Sequence, residues 1–114
     1  MSDTDLTERK CVPCEGAAQP LESDQAQKLL SQVAGWQLSD DGKAIYCKRN
    51  LKNFVAALEY LNAIGRLAEQ EQHHPDLHLT GYRHVRVELT THAIGGLSEN
   101  DFIVAAKINE LNDA

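Results

Sequence analysis

A chain of 114 residues with 42% hydrophobic and 25% charged side chains is typical of a single globular domain that needs neither disulfides nor a metal to bury its core. Its formal net charge of −6 lacks the basic footprint of proteins that bind nucleic-acid phosphates, so we expect no direct nucleic-acid partner. No apolar run is long enough to cross a membrane, and Met1 to Lys10 has no signal-peptide core. We therefore expect no membrane association and a cytoplasmic location.

The first 20 residues are polar and aperiodic, which predicts a mobile N-terminal tail over residues 1–20 and one folded domain over residues 21–114. The three cysteines, Cys11, Cys14 and Cys47, form an odd and sparse set that argues against a disulfide framework. Cys11 and Cys14 form a lone Cys-x-x-Cys, but no strand–helix junction precedes it. We interpret both thiols as inert or incidentally oxidisable.

The first predicted helix begins at a Ser23 cap and ends at Gly35. Its apolar residues follow the spacing of one helical face: Ala26, Leu29, Leu30 and Val33. A hairpin is predicted next, with a short strand over Trp36 to Ser39, a turn at Asp40-Asp41-Gly42 and a second strand over Lys43 to Leu51.

Asn53 is a candidate cap for the longest predicted helix, Phe54 to about Gln72. Its predicted buried stripe consists of Phe54, Ala57, Leu58, Leu61, Ile64 and Leu67 or Ala68. His73-His74-Pro75 ends the helix, because a proline disfavours helical geometry in the residue before it.

A second hairpin is predicted from an extended segment, Asp76 to Thr80, and a clear strand after Gly81. That strand alternates, with Val85, Val87, Leu89 and Thr91 on one face and His84, Arg86, Glu88, Thr90 and His92 on the other. Ser98 with Asp101 is a capping-box pattern that predicts the last helix. Its predicted inward residues are Phe102, Ala105, Ala106, Ile108 and Leu111 or its neighbours.

The predicted order is α-β-β-α-β-β-α. Strands joined by tight turns pair antiparallel, and amphipathic helices cover one face of such a sheet. The sequence therefore predicts an α+β two-layer sandwich with a four-stranded antiparallel sheet and three helices on one face.

All five histidines lie between His73 and His92. Histidine exchanges protons near neutral pH, and the ends of helices and strands commonly carry catalytic residues. His73 and His74 end a helix and His92 ends a predicted strand, so acid–base catalysis by these three is one interpretation. Solvated histidines, with a favourable helix dipole at His73 and His74, are the other.

Metal binding is a rival interpretation, but no His-Glu-x-x-His pattern is present, and adjacent histidines rarely bind one ion. We expect no metal and no cofactor. Glu69 lies one turn before His73 and is either a solvated partner or an orienting group for that ring. Asp101 is most simply a capping residue, and Trp36 is a core residue more often than a substrate platform.

A composite motif follows the order and spacing of a known family. It comprises Glu69-x-x-x-His73-His74-Pro75, Tyr82, Thr91-His92, Gly96-Leu97-Ser98 and Asp101. Together with Gly35-Trp36 and Cys11-Val12-Pro13-Cys14, it resembles bacterial pterin-4a-carbinolamine dehydratases over essentially the whole chain. Gln72 departs from the animal members, which often have an acid at that position.

This resemblance implies a dehydratase that removes water from 4a-hydroxytetrahydropterin to give quinonoid dihydropterin, and so recycles the cofactor of aromatic amino acid hydroxylases. It implies a homodimer or homotetramer, active histidines at His73, His74 and His92, and an active-site acid at Glu69. Trp36, Thr91 and Asp101 are further candidates for binding or orienting the pterin. A non-catalytic dimeric interaction module or transcriptional cofactor on the same fold is the alternative.

Overall fold

A computed structural model describes residues 6–8, 11 and 19–112, and all structural statements refer to these residues. Three helices and four strands follow one another in the predicted order. They are α1 (Ser23–Leu30), β1 (Gln37–Leu38), β2 (Ile45–Asn50), α2 (Phe54–Glu71), β3 (Asp76–Thr80), β4 (His84–Leu89) and α3 (Glu99–Asn112). None of the helices in these ranges is both long and apolar enough to span a membrane.

The four strands form one antiparallel sheet in the order β1-β2-β4-β3. Its apolar face is set by the two-residue period of the strands, since Ile45 pairs with Leu89 and Cys47 pairs with Val87, and all four are buried. The helices cover this face, while the opposite face carries polar side chains. The predicted α+β sandwich is thereby confirmed.

Helix α3 is buried almost all round rather than on one stripe. It contacts α1, α2 and a short 3₁₀ turn, Leu6–Glu8, which together surround it. Ile103 and Val104, which were not among the predicted inward residues, are therefore as deeply buried as Phe102. The uninterrupted apolar run from Phe102 to Ala106 is the sequence signal for this position.

Three local predictions for the helices were wrong, the first being the end of α1, which lies at Leu30 and not at Gly35. Helix α1 is capped by Glu22, not Ser23: the side chain of Gln25 accepts a hydrogen bond from the Glu22 N–H at 3.0 Å. In α2, Phe54 and Leu58 are 48% and 41% exposed, because the buried stripe is rotated toward Tyr60, Ile64 and Ala68. The Asn53 cap is present, with its side chain accepting from the Ala56 N–H at 2.8 Å.

Part of the predicted tail packs onto the domain. Leu6 is only 3% exposed and joins the main core, and the backbone N–H of Cys11 donates to Glu71 Oε1 at 2.9 Å. Residues 1–5, 9–10 and 12–18 of the predicted tail, including Cys14, lie outside the described residues.

Candidate active site

The histidine pair follows directly from the way α2 ends. Gln72 adopts a left-handed conformation with φ of 55°, and its N–H together with the His73 N–H caps carbonyls of the last turn. The Gln72 side chain also donates to the Glu69 carbonyl at 2.7 Å. This turn fixes where His73 and His74 leave the helix.

His92 lies in a turn after β4 and not at the end of the strand, where the sequence predicted it. Strand β4 ends at Leu89, Thr91 forms an isolated bridge with Gly96, and His92–Ile94 is a 3₁₀ turn. The predicted alternation of strand faces therefore stops before His92. Gly95, with φ of 70°, closes the turn in a conformation that glycine adopts at little cost.

The two histidine segments line one cavity of about 680 Å³, which is in the size range of small-molecule sites. Its walls come from the N-terminal segment, the end of α2, the chain after β4 and the start of α3. They are Cys11, Gln70, Glu71, Gln72, His73, His74, Thr90, Thr91, His92, Ala93 and Asn100. All three candidate catalytic histidines are thus brought together.

Asp101 is the centre of a buried hydrogen-bond network beside this cavity. Its carboxylate is fully buried and accepts hydrogen bonds from Thr91 Oγ1 at 2.8 Å and from the Ser98 N–H at 3.0 Å. Its other oxygen lies 2.6 Å from His73 Nε2. Because the single Thr91 hydroxyl proton is used on Asp101, Ser98 Oγ donates to Thr91 Oγ1 at 2.7 Å.

Asp101 therefore has two roles: it caps the start of α3 through the Ser98 N–H, and it positions the His73 ring. A carboxylate only accepts, so His73 donates from Nε2 and leaves Nδ1 as its free ring nitrogen. The His73 side chain is 12% exposed, so its ring has little freedom to reorient.

Glu69 was predicted to orient His73, but the structure pairs it with His74. Glu69 Oε2 lies 2.6 Å from His74 Nε2, and the two side chains are 71% and 58% exposed. The helical spacing suggested His73, but the left-handed turn at Gln72 carries His74 back over the helix end instead. An exposed pair of this kind adds little stability, although it restricts the ring.

Trp36, expected to border the substrate, lies away from the histidine cavity. Its side chain is 5% exposed and lies in the core, and Nε1 donates to Asn109 Oδ1 of α3 at 3.0 Å. Asn109 in turn donates to the Ala34 carbonyl at 3.1 Å. Trp36 therefore joins the segment before β1 to α3 and does not line the histidine cavity.

Sequence reasoning missed Glu71, the last residue of α2. Its carboxylate receives Lys107 Nζ of α3 at 2.5 Å and the Cys11 N–H, with the Glu71 and Lys107 side chains only 9% and 14% exposed. Burial raises the pKa of Glu71, but these donors outweigh it and the net pKa is lowered. No local pattern could reveal partners this distant in the chain.

Cys11 forms part of the cavity wall and its thiol donates to the Asn100 carbonyl at 3.6 Å. Burial, reinforced by the Glu71 carboxylate, raises the pKa of the Cys11 thiol to about 12. The neutral thiol is a poor nucleophile and metal ligand at physiological pH. Within the described ranges, no three His, Cys, Asp or Glu side chains are grouped closely enough to hold a metal ion.

Comparison with known proteins identifies the family. The family model described as Pterin 4 alpha carbinolamine dehydratase matches residues 19–111. The chain belongs to this family. The matched region includes every candidate site residue and excludes only the N-terminal segment and the last residues.

Individual relatives agree with the family model. Pterin-4-alpha-carbinolamine dehydratase 2, mitochondrial, of Arabidopsis thaliana is 48% identical over 94% of this chain, which spans 59% of the plant protein's length. A Nitrosomonas europaea protein that carries the same dehydratase name as a provisional assignment is 52% identical over 94% of this chain and 93% of its own.

A solved structure shows the same fold. The crystal structure of a Brucella melitensis protein, described as a transcriptional coactivator/pterin dehydratase, matches with a TM-score of 0.76 and 30% sequence identity. The match covers 82% of this chain and 98% of that one. The resemblance to pterin-4a-carbinolamine dehydratases found in the sequence is therefore confirmed.

Proposed function

We propose that this protein removes water from 4a-hydroxytetrahydropterin to give quinonoid dihydropterin by histidine acid–base catalysis. Membership of the dehydratase family supports the reaction. The observation that carries the catalytic assignment is the shared cavity, which brings His73 and His74 from the end of α2 together with His92 from the turn after β4.

The reaction requires two proton transfers and no electron transfer. One acid protonates the hydroxyl on C4a, which leaves as water, and one base takes the proton from N5 as the C4a–N5 double bond forms. His73 and His74 are the candidate acids, each acting from its doubly protonated ring because its Nε2 proton is donated to a carboxylate, and His92 is the candidate base. Positioned acid–base groups of this kind each contribute about 10²–10⁴-fold to a rate.

The neighbouring polar residues act through the histidines. Asp101 fixes the His73 ring and its tautomer, Thr91 holds the Asp101 carboxylate, and Glu69 restricts the His74 ring. Asp101 does not line the cavity, so its proposed role is positioning rather than contact with the pterin.

The chemistry also suggests where the substrate comes from. A 4a-hydroxypterin is the by-product of aromatic amino acid hydroxylation, so we propose that the protein serves a hydroxylase by regenerating its pterin cofactor. A cytoplasmic location remains a prediction.

The test is decay of the carbinolamine made in situ by a hydroxylase. Wild-type protein should accelerate that decay, and His74→Ala and His92→Ala should each lose at least about 10²-fold of the effect. Asn62→Ala, an exposed change on α2, is the control and should match the wild type. Undiminished rates in both histidine variants would refute the assignment, and partner binding without any effect on decay would favour an interaction module.

We also propose that the protein forms a homodimer or homotetramer. Three neighbouring apolar residues at the start of α2 are exposed by 41–61%, namely Phe54, Val55 and Leu58. An exposed apolar patch of this kind commonly marks an interface. Sedimentation should give a dimer or tetramer that Leu58→Glu shifts toward monomer, whereas a wild-type monomer at every concentration would contradict the proposal.

A further inference from the structure

The polar face of the sheet carries a row of basic side chains. In the strand register, Lys48 of β2 lies opposite Arg86 of β4, and Arg86 lies opposite His78 of β3. Like charges placed directly opposite one another destabilise a sheet.

The carboxylates of this face lie in the neighbouring row, where Asp76 of β3 is opposite Glu88 of β4. Arg86 donates to Glu88 Oε2 through Nε at 2.9 Å and Nη2 at 2.5 Å, and its guanidinium stacks 4.1 Å above the Tyr46 ring. His78 Nε2 is 3.9 Å from the same Glu88. Lys48 is exposed and lies outside this ion-pair cluster. Two carboxylates, Glu88 and Asp76, thus share the face with two cations and a histidine, and neither lies in the row of Lys48.

The basic row borders a cavity of about 500 Å³ that shares no lining residue with the histidine cavity. No carboxylate lines it among the residues that the structure describes. Its polar lining consists of Lys48, Asn50, His78, Thr80, His84 and Arg86. Every one of these side chains has at least one N–H or O–H group that can donate to an anion.

His84 is oriented by Asn50. Its Nδ1 donates to Asn50 Oδ1 at 2.6 Å, so Nε2 donates to an anion when the ring carries its second proton. A Cβ on Gly81 would come within 2.7 Å of the His84 ring, so the glycine leaves room for the ring in this position. The ring therefore lies at the edge of the cavity, with Asn50 as its hydrogen-bond partner.

We propose that this concavity binds the phosphate group of a small phosphorylated molecule, at a site separate from the dehydratase cavity. The lining side chains provide the donors, the cavity volume suits a small ligand, and a multiply charged oxyanion relieves the repulsion along the basic row. The proposal is independent of the reaction at the histidine cavity.

The first experiment is an amide NMR titration of the full chain with inorganic phosphate and with glycerol 3-phosphate, at constant ionic strength. Saturable shifts should cluster at Lys48, Thr80 and His84. Tighter binding of glycerol 3-phosphate would identify an organic phosphate ester as the ligand, and equal binding would identify free phosphate. Shifts at His73, His74 and His92 alone, or shifts spread over all lysines, would overturn the proposal.

Paired variants test the basic row itself. Lys48→Gln should weaken phosphate binding about fivefold, while Lys43→Gln, which removes an exposed lysine before the start of the same strand, should not. Equal losses in both variants, or association of the protein through this face that blocks phosphate, would overturn the proposal.

Thermal unfolding shows whether Lys48 acts in phosphate binding or in the stability of the sheet. Because Lys48→Gln removes like-charge repulsion, its Tm in chloride should equal or exceed that of the wild type, while its gain in Tm on adding phosphate should be smaller. An unchanged gain in Tm would overturn the proposal even if the variant folds normally.

Discussion

At the scale of single residues, the Asp101 carboxylate makes two kinds of contact. One oxygen accepts from Thr91 and Ser98, and the other accepts from the His73 ring. In Asp101→Asn, the amide oxygen can still accept from Thr91 and Ser98, but the amide nitrogen then faces His73 Nε2. The amide nitrogen donates, so His73 Nε2 must become an acceptor and the ring proton moves to Nδ1. We expect turnover to fall about 10–100-fold with a smaller change in KM.

The tautomer can be observed directly. Nitrogen NMR of the histidine rings should show His73 protonated at Nε2 in the wild type and at Nδ1 in Asp101→Asn. Asp101→Glu, which keeps a carboxylate but lengthens it, should retain the tautomer. A variant that loses activity while keeping the wild-type tautomer would show that Asp101 acts by another route.

At the scale of elements, Glu71 and Lys107 join the end of α2 to α3 inside the structure. The pKa of Glu71 is lower in the folded protein than in the unfolded chain, where it is about 4.3. The ionised carboxylate therefore contributes its full stabilisation above pH about 4.3, and this contribution is lost as the pH falls through the pKa of the folded state. We expect Lys107→Met to cost about 1–3 kcal/mol at neutral pH, because it leaves a mostly buried carboxylate without its cation.

Urea unfolding as a function of pH measures this contribution. The difference in unfolding free energy between wild type and Lys107→Met should be constant near neutral pH and shrink below pH about 4.3. In a Glu71→Gln background, Lys107→Met should have a much smaller effect. A difference that does not depend on pH would mean that Lys107 stabilises α3 through packing alone.

The elements themselves were largely predictable, whereas their contacts were not. Alternation in β4 and the proline after His74 depend on local spacing, which a sequence displays directly. The pairing of Glu69 with His74 depends on the left-handed conformation of Gln72. A glycine at that position would have indicated such a conformation, but a glutamine does not. The Lys107 partner of Glu71 and the core position of Trp36 depend on α3, which is far away in sequence.

At the scale of the whole molecule, the folded unit includes residues before the expected boundary at residue 21. Leu6 lies against α3 and is 3% exposed, so Leu6→Ala should lower the unfolding free energy by about 2 kcal/mol. Leu77→Ala, at a residue 38% exposed on the edge strand, is the control and should cost less. Equal effects in urea unfolding would show that the N-terminal segment does not contribute to the core.

The position of α3 also determines the order of events during synthesis on the ribosome. This last helix supplies Asp101 to His73, Lys107 to Glu71, Asn109 to Trp36 and a carbonyl to Cys11, 89 residues earlier. Every earlier segment of the pocket therefore lacks its partner until α3 has been translated. A nascent chain stalled before residue 99 has both histidine segments but not the helix that holds them, and it should be inactive and open to proteases.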